Sequence, residues 1–111
     1  MKLLVRILFS IFFAIAIGVH IYYVAEGDGK PFWWHLIYFV TYAVCWWMIF
    51  SKHKYANFIY IMMAIFPFVS HVYYGYKHFA TLDAMFWICI LTCVMLVAGF
   101  FWINSTKTIT L

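Results

Sequence analysis

Glu26–Pro31, EGDGKP, is the stretch on which the fold turns. Two glycines, a proline and three charged side chains interrupt a chain that is otherwise almost wholly apolar, and such a cluster marks a turn. On one side lies the run Ile7–Ala25, on the other Phe32–Phe50. Each run is long enough to cross the roughly 30 Å hydrocarbon layer as a helix. The turn between them is short, so the two helices must lie side by side and antiparallel.

The same punctuation recurs twice. SKHKY (Ser51–Tyr55) and YKHFATLD (Tyr76–Asp83) bound two more apolar runs, Phe58–Gly75 and Ala84–Ile103. Asp83 is placed to cap the last helix at its N-terminus. The expected fold is therefore all-α: one integral membrane domain over residues 1–111, built as an up-and-down four-helix bundle with spans at about 7–25, 32–50, 58–75 and 84–103.

Composition agrees. Of 111 residues, 69% are hydrophobic and 9% charged, against about 25% charged in an ordinary soluble domain. The formal net charge of +4 comes from scattered residues that form no continuous basic groove. Nucleic acid is excluded as a partner on that ground, and anionic lipid of the bilayer is the expected one.

Lys2, Arg6, Lys52, Lys54 and Lys107 fall at one end of the spans, while Lys30 and Lys77 fall at the other with Glu26, Asp28 and Asp83. The positive-inside rule then puts both termini in the cytoplasm, with the bacterial inner membrane as the expected location. The start, MKLLVRILFSIFFAIA, carries an Ala14-x-Ala16 pattern that a signal peptidase could cut. It is read as an uncleaved first helix.

Aromatics make up 25% of the chain. Trp33, Trp34, Tyr22, Tyr23, Tyr73, Tyr74 and Tyr76 are expected in an outer interfacial belt, and Trp46, Trp47, Tyr55, Tyr60 and Trp102 in an inner one. Cys45, Cys89 and Cys93 show no zinc or C-x-x-C spacing and are read as small buried hydrophobes.

Chemistry concentrates in the histidines. An offset of 51 residues lays His20-Ile-Tyr-Tyr on His71-Val-Tyr-Tyr and aligns the first helical hairpin with the second. That match suggests a tandem repeat, although His35 has Phe86 at the matching place. The helical face of His20 carries Phe9, Phe13, Ala16 and Val24, and that of His71 carries Tyr60, Ala64, Pro67, Tyr74, Gly75 and His78. Spans one and three occupy diagonal corners of a simple bundle, so His20 and His71 are expected to face each other across the core. Opposed imidazoles are the axial pair of a haem b, and with other groups they hold a transition metal.

His35 is the third metal candidate, opening span two on a face with Phe39, Tyr42 and Trp46. His78, Glu26, Asp28 and Asp83 lie at the same end and form a further tier of ligands or orienting partners. Against this stands the plainer reading of His20 and His71 as structural hydrogen-bonding groups near the membrane boundary. His78 and His53 are read as ordinary boundary side chains. Pro67 withdraws the amide that would bond the carbonyl of Met63, and a kink is expected there.

No glycine-rich nucleotide loop, H-E-x-x-H motif or nucleophile elbow is present, so no catalytic residue is assigned. Three functions stay open. The first is a redox or respiratory-type membrane subunit binding haem b or a metal. The second is an accessory or assembly subunit of a larger membrane complex, without a cofactor. The third is a small dimeric transporter, disfavoured because no carboxylate lies inside a span.

Overall fold

The computed structural model describes residues 2–51 and 53–107, and no strand occurs among them. Four helices follow in order: α1 (Lys2–Glu26), α2 (Phe32–Phe50), α3 (Ala56–Lys77) and α4 (Ala84–Lys107). All four are long and apolar enough to span a membrane. Lys52, counted in the charge bias, lies outside the described residues, as does the side chain of Lys107. The helices overrun the apolar runs because backbone hydrogen bonding continues past the last apolar residue. At the start of α1, Lys, Leu and Arg are good helix formers in their own right.

α1 packs on α2 and α3 packs on α4 as two hairpins, joined through a third close contact between α2 and α3. α4 approaches α2 and α1 more lightly, and among the described residues the backbones of α1 and α3 do not come close. The bundle is thus squeezed along its α2–α4 diagonal, with α2 the most enclosed helix. It accordingly carries the buried polar side chains His35, Tyr38, Thr41 and Tyr42.

Phe9 and Phe13 of α1 are buried, as the helical wheel implies, and Phe13 meets the Tyr42 ring with centroids 6.2 Å apart. Tyr60 corrects the sequence reading. It was expected in the inner belt, yet it is 1% exposed and its hydroxyl donates to the Leu96 carbonyl at 2.8 Å. The absence of a side chain at Gly99 admits it. α3 continues as helix through Pro67.

A candidate histidine relay at the hairpin end

The α1–α2 connection shapes the first part of the site. Gly27 and Gly29 have φ of +81° and +80°, a left-handed conformation that costs other residues about 1–2 kcal/mol. Between them Asp28 curls back so that one carboxylate oxygen accepts the Lys30 backbone N–H at 3.1 Å. Its two oxygens also lie 3.1 and 3.0 Å from His35 Nε2, in the first turn of α2. Space around Gly27 is open. Gly27→Ala is therefore expected to cost only its backbone term, about 1–2 kcal/mol, read as a lower melting temperature in detergent without loss of the fold.

His35 is 4% exposed and passes the interaction inward: its Nδ1 lies 2.9 Å from His20 Nδ1 on α1. The His20 ring is stacked on Tyr38, centroids 4.3 Å apart and planes within 12°. Counting hydrogens then assigns the tautomers. The hydrogen bond from His35 holds the Asp28 carboxyl below its ordinary 3.8, with the Lys30 amide adding to the effect, so near neutral pH it only accepts. His35 Nε2 therefore carries a hydrogen. With both rings neutral, His35 Nδ1 is bare and His20 Nδ1 must donate to it. His20 Nε2 is left as a lone pair, and it has no hydrogen-bond partner among the described residues.

A second branch runs through Tyr38. Its hydroxyl donates to Ser70 Oγ, which donates to the Pro67 carbonyl at 3.1 Å. That carbonyl also accepts from His71 Nδ1 at 2.7 Å, which leaves Nε2 of a neutral His71 bare as well. The His71 ring meets Tyr38 edge-on with centroids 5.8 Å apart. Tyr38 thus joins the two hairpins in the core. Lys30 joins them at the surface, donating from Nζ to the Tyr74 hydroxyl at 2.8 Å.

The structure brings Asp28, His35 and His20 together by hydrogen bonds, and His71 meets the Tyr38 ring on which His20 stacks. His20 and His71 open onto different grooves. One, of about 310 Å³, runs beside α1 and α2 and is lined by His20, His35 and apolar side chains. The other, of about 360 Å³ beside α3 and α4, is lined by His71 with Cys89 and Cys93. His78 pairs with Asp83 at 2.8 Å in the α3–α4 connection, where Asp83 also caps α4 through the Phe86 amide. Glu26 is exposed in the last turn of α1. Among the described residues no group of three His, Cys, Asp or Glu side chains is placed to hold a metal ion.

Sequence reasoning missed Tyr38 and Ser70. Tyr38 follows His35 by three residues and so shares its helical face, a signal that was available. Ser70, adjacent to His71, carried none.

The two loop carboxylates give a pH prediction. Asp83, like Asp28, is held below 3.8, chiefly by its histidine partner His78 and then by the Phe86 amide. A depressed folded value means stabilisation that is complete above 3.8 and is lost as pH falls through the folded value. Melting temperature is expected to drop on acidification below 3.8, and Asp28→Asn with Asp83→Asn is expected to flatten that drop.

Searches of protein-family models, curated proteins and solved structures found no match to the chain.

Proposed function

We propose that the chain is a small integral membrane subunit that handles protons for redox or respiratory-type chemistry, with Asp28, His35 and His20 as its working part. The supporting observation is the continuous hydrogen-bonded path from an exposed loop carboxylate, through a buried imidazole, to a bare nitrogen on α1. A proton taken up at His20 Nε2 drives the Nδ1 hydrogen across 2.9 Å to His35. The positive charge then rests on His35, 3.0 Å from the Asp28 carboxylate. Release to water through Asp28 completes the transfer.

The path spans only the end of the bundle that carries the α1–α2 and α3–α4 connections. It supports proton exchange between that surface and a partner within the membrane rather than flux across it. The Lys and Arg bias supports placing this end away from the cytoplasm, with both termini inside, in a bacterial inner membrane. The redox centre belongs to the larger complex in this reading.

The test is purification of the full chain from its own membranes in mild detergent, with proton uptake recorded by an indicator dye as the complex is reduced. Uptake is expected to fall in His20→Phe and His35→Leu and to hold in His78→Phe. Absence of any redox-active partner, or uptake indifferent to His20 and His35, overturns the reading.

A second reading is favoured by one observation: His20 and His71 both present the Nε2 lone pair that haem iron or a transition metal requires, each with Nδ1 held by a partner. Because they line separate grooves, each supplies one ligand, and the opposing ligand comes from another chain. This reading predicts a Soret band that shifts on reduction, weakens in either His20→Ala or His71→Ala and is lost when both are replaced. A colourless, metal-free protein, expressed with haem and metals supplied, removes it.

A further inference from the structure

The groove beside His20 has a chemistry more specific than its apolar lining. Ile21, Val24, Phe32, Leu36 and Phe39 form its walls together with the two imidazoles. His20 lies within two turns of the end of α1, so an occupant enters from the bilayer near its boundary.

We propose that this groove binds the head of a membrane-soluble phenol or hydroquinone, whose hydroxyl donates a hydrogen bond to His20 Nε2. The inference rests on the proton-handling reading and names the ligand of that same site. Three features select the ligand. The tautomers set by Asp28 make Nε2 an acceptor, so the ligand must bring a donor. The walls are apolar and two carry phenyl rings, so its body must be apolar, and a flat ring suits them. The relay acts only on a group that titrates. An aliphatic alcohol keeps its proton, whereas a phenol, like tyrosine with its value near 10, can yield it to an acceptor backed by a carboxylate.

The step balances without electron transfer. The phenolic O–H bond breaks and Nε2–H forms on His20. The hydrogen on His20 Nδ1 passes to His35 Nδ1, leaving a phenolate in the groove and an imidazolium beside Asp28. A benzoquinone offers carbonyl acceptors only, so it faces a lone pair with a lone pair. The site is therefore selective for the reduced form.

The test uses the full chain in detergent, with a short-chain prenyl hydroquinone kept reduced under anaerobic conditions and its quinone as separate probes. Equilibrium dialysis gives affinity, and ¹⁵N spectra of the histidines report the contact. The hydroquinone is expected to bind about tenfold tighter than the quinone, the size of one neutral hydrogen bond with its desolvation, and to shift His20 Nε2. His20→Phe, which keeps an aromatic ring against Tyr38, removes the preference. Asp28→Ala narrows it, because nothing then fixes the tautomer.

Equal binding of the two probes to the unaltered protein, or no binding of either, overturns the proposal without recourse to any variant. The two readings fail separately. Selective hydroquinone binding with no proton uptake in the complex keeps the ligand and removes the redox role. Uptake that needs His20 without hydroquinone binding does the reverse.

Discussion

Gly99→Ala is expected to destabilise the bundle by about 2–4 kcal/mol, the sum of an overpacking term and a lost buried hydrogen bond. A Cβ at that position would overlap Tyr60 Oη and stand 2.8 Å from Cζ and 3.2 Å from Ile49 Cδ1. The Tyr60 ring cannot simply withdraw. It is fully enclosed, and its hydroxyl is committed to the Leu96 carbonyl on the same helix as Gly99. Any shift that relieves the clash leaves a buried donor unpaired.

The sign makes the experiment sharp, since Gly→Ala inside an unobstructed helix is ordinarily stabilising by about 1 kcal/mol. Thermal unfolding in detergent, followed by circular dichroism, is the measurement. Tyr60→Leu also destabilises alone, but combined with Gly99→Ala it is expected to cost less than the two separate losses added. A Gly99→Ala protein that melts at or above the original temperature contradicts the close contact of α3 and α4.

The second large effect is at His35. Its imidazole is buried and bonded at both nitrogens, so His35→Leu removes the Asp28 partner and leaves Nδ1 of the half-buried His20 without its acceptor. Leaving a buried donor unsatisfied costs about 1–3 kcal/mol. The consequence for the site is greater than for the fold. The lone pair at His20 Nε2 is held only through His35, and without it the ring can carry its hydrogen on either nitrogen.

Two readouts check this. The ¹⁵N spectrum of His20 in His35→Leu is expected to show mixed tautomers in place of one. The Asp28 carboxyl, having lost the hydrogen bond that contributes most to its depression, is expected to titrate closer to 3.8. A single unaltered His20 tautomer in the variant means that Asp28 does not act through His35.

Much of the site was legible as residue types and not as pairings. His20, His35 and Asp28 were all candidates, because an imidazole inside an apolar run and a carboxylate between two glycines stand out in so apolar a chain. Their pairings were not legible, for a physical reason. A helical wheel reports which residues share a face of one helix, but it carries no information on how far that helix is turned toward each neighbour. The wheel therefore sets His20 toward the chemically similar His71 on the diagonal helix, whereas the structure bonds His20 to His35 and sets both His20 and His71 against the Tyr38 ring. Tyr60 went astray likewise: its amphipathic ring suits an interface, and only the facing Gly99 makes it core.

The sequence by itself determined four apolar helices, their order, the three turns between them and the capping of α4 by Asp83, because each depends on residues close together in the chain. Burial of a helix in a bilayer is a sum over its own side chains, and a glycine-rich turn acts on its own backbone. Only the tertiary structure decided that His35 receives His20 and that Tyr38 links the two hairpins. Those contacts depend on interhelical distance and rotation, which follow from the shapes of all four packing faces at once.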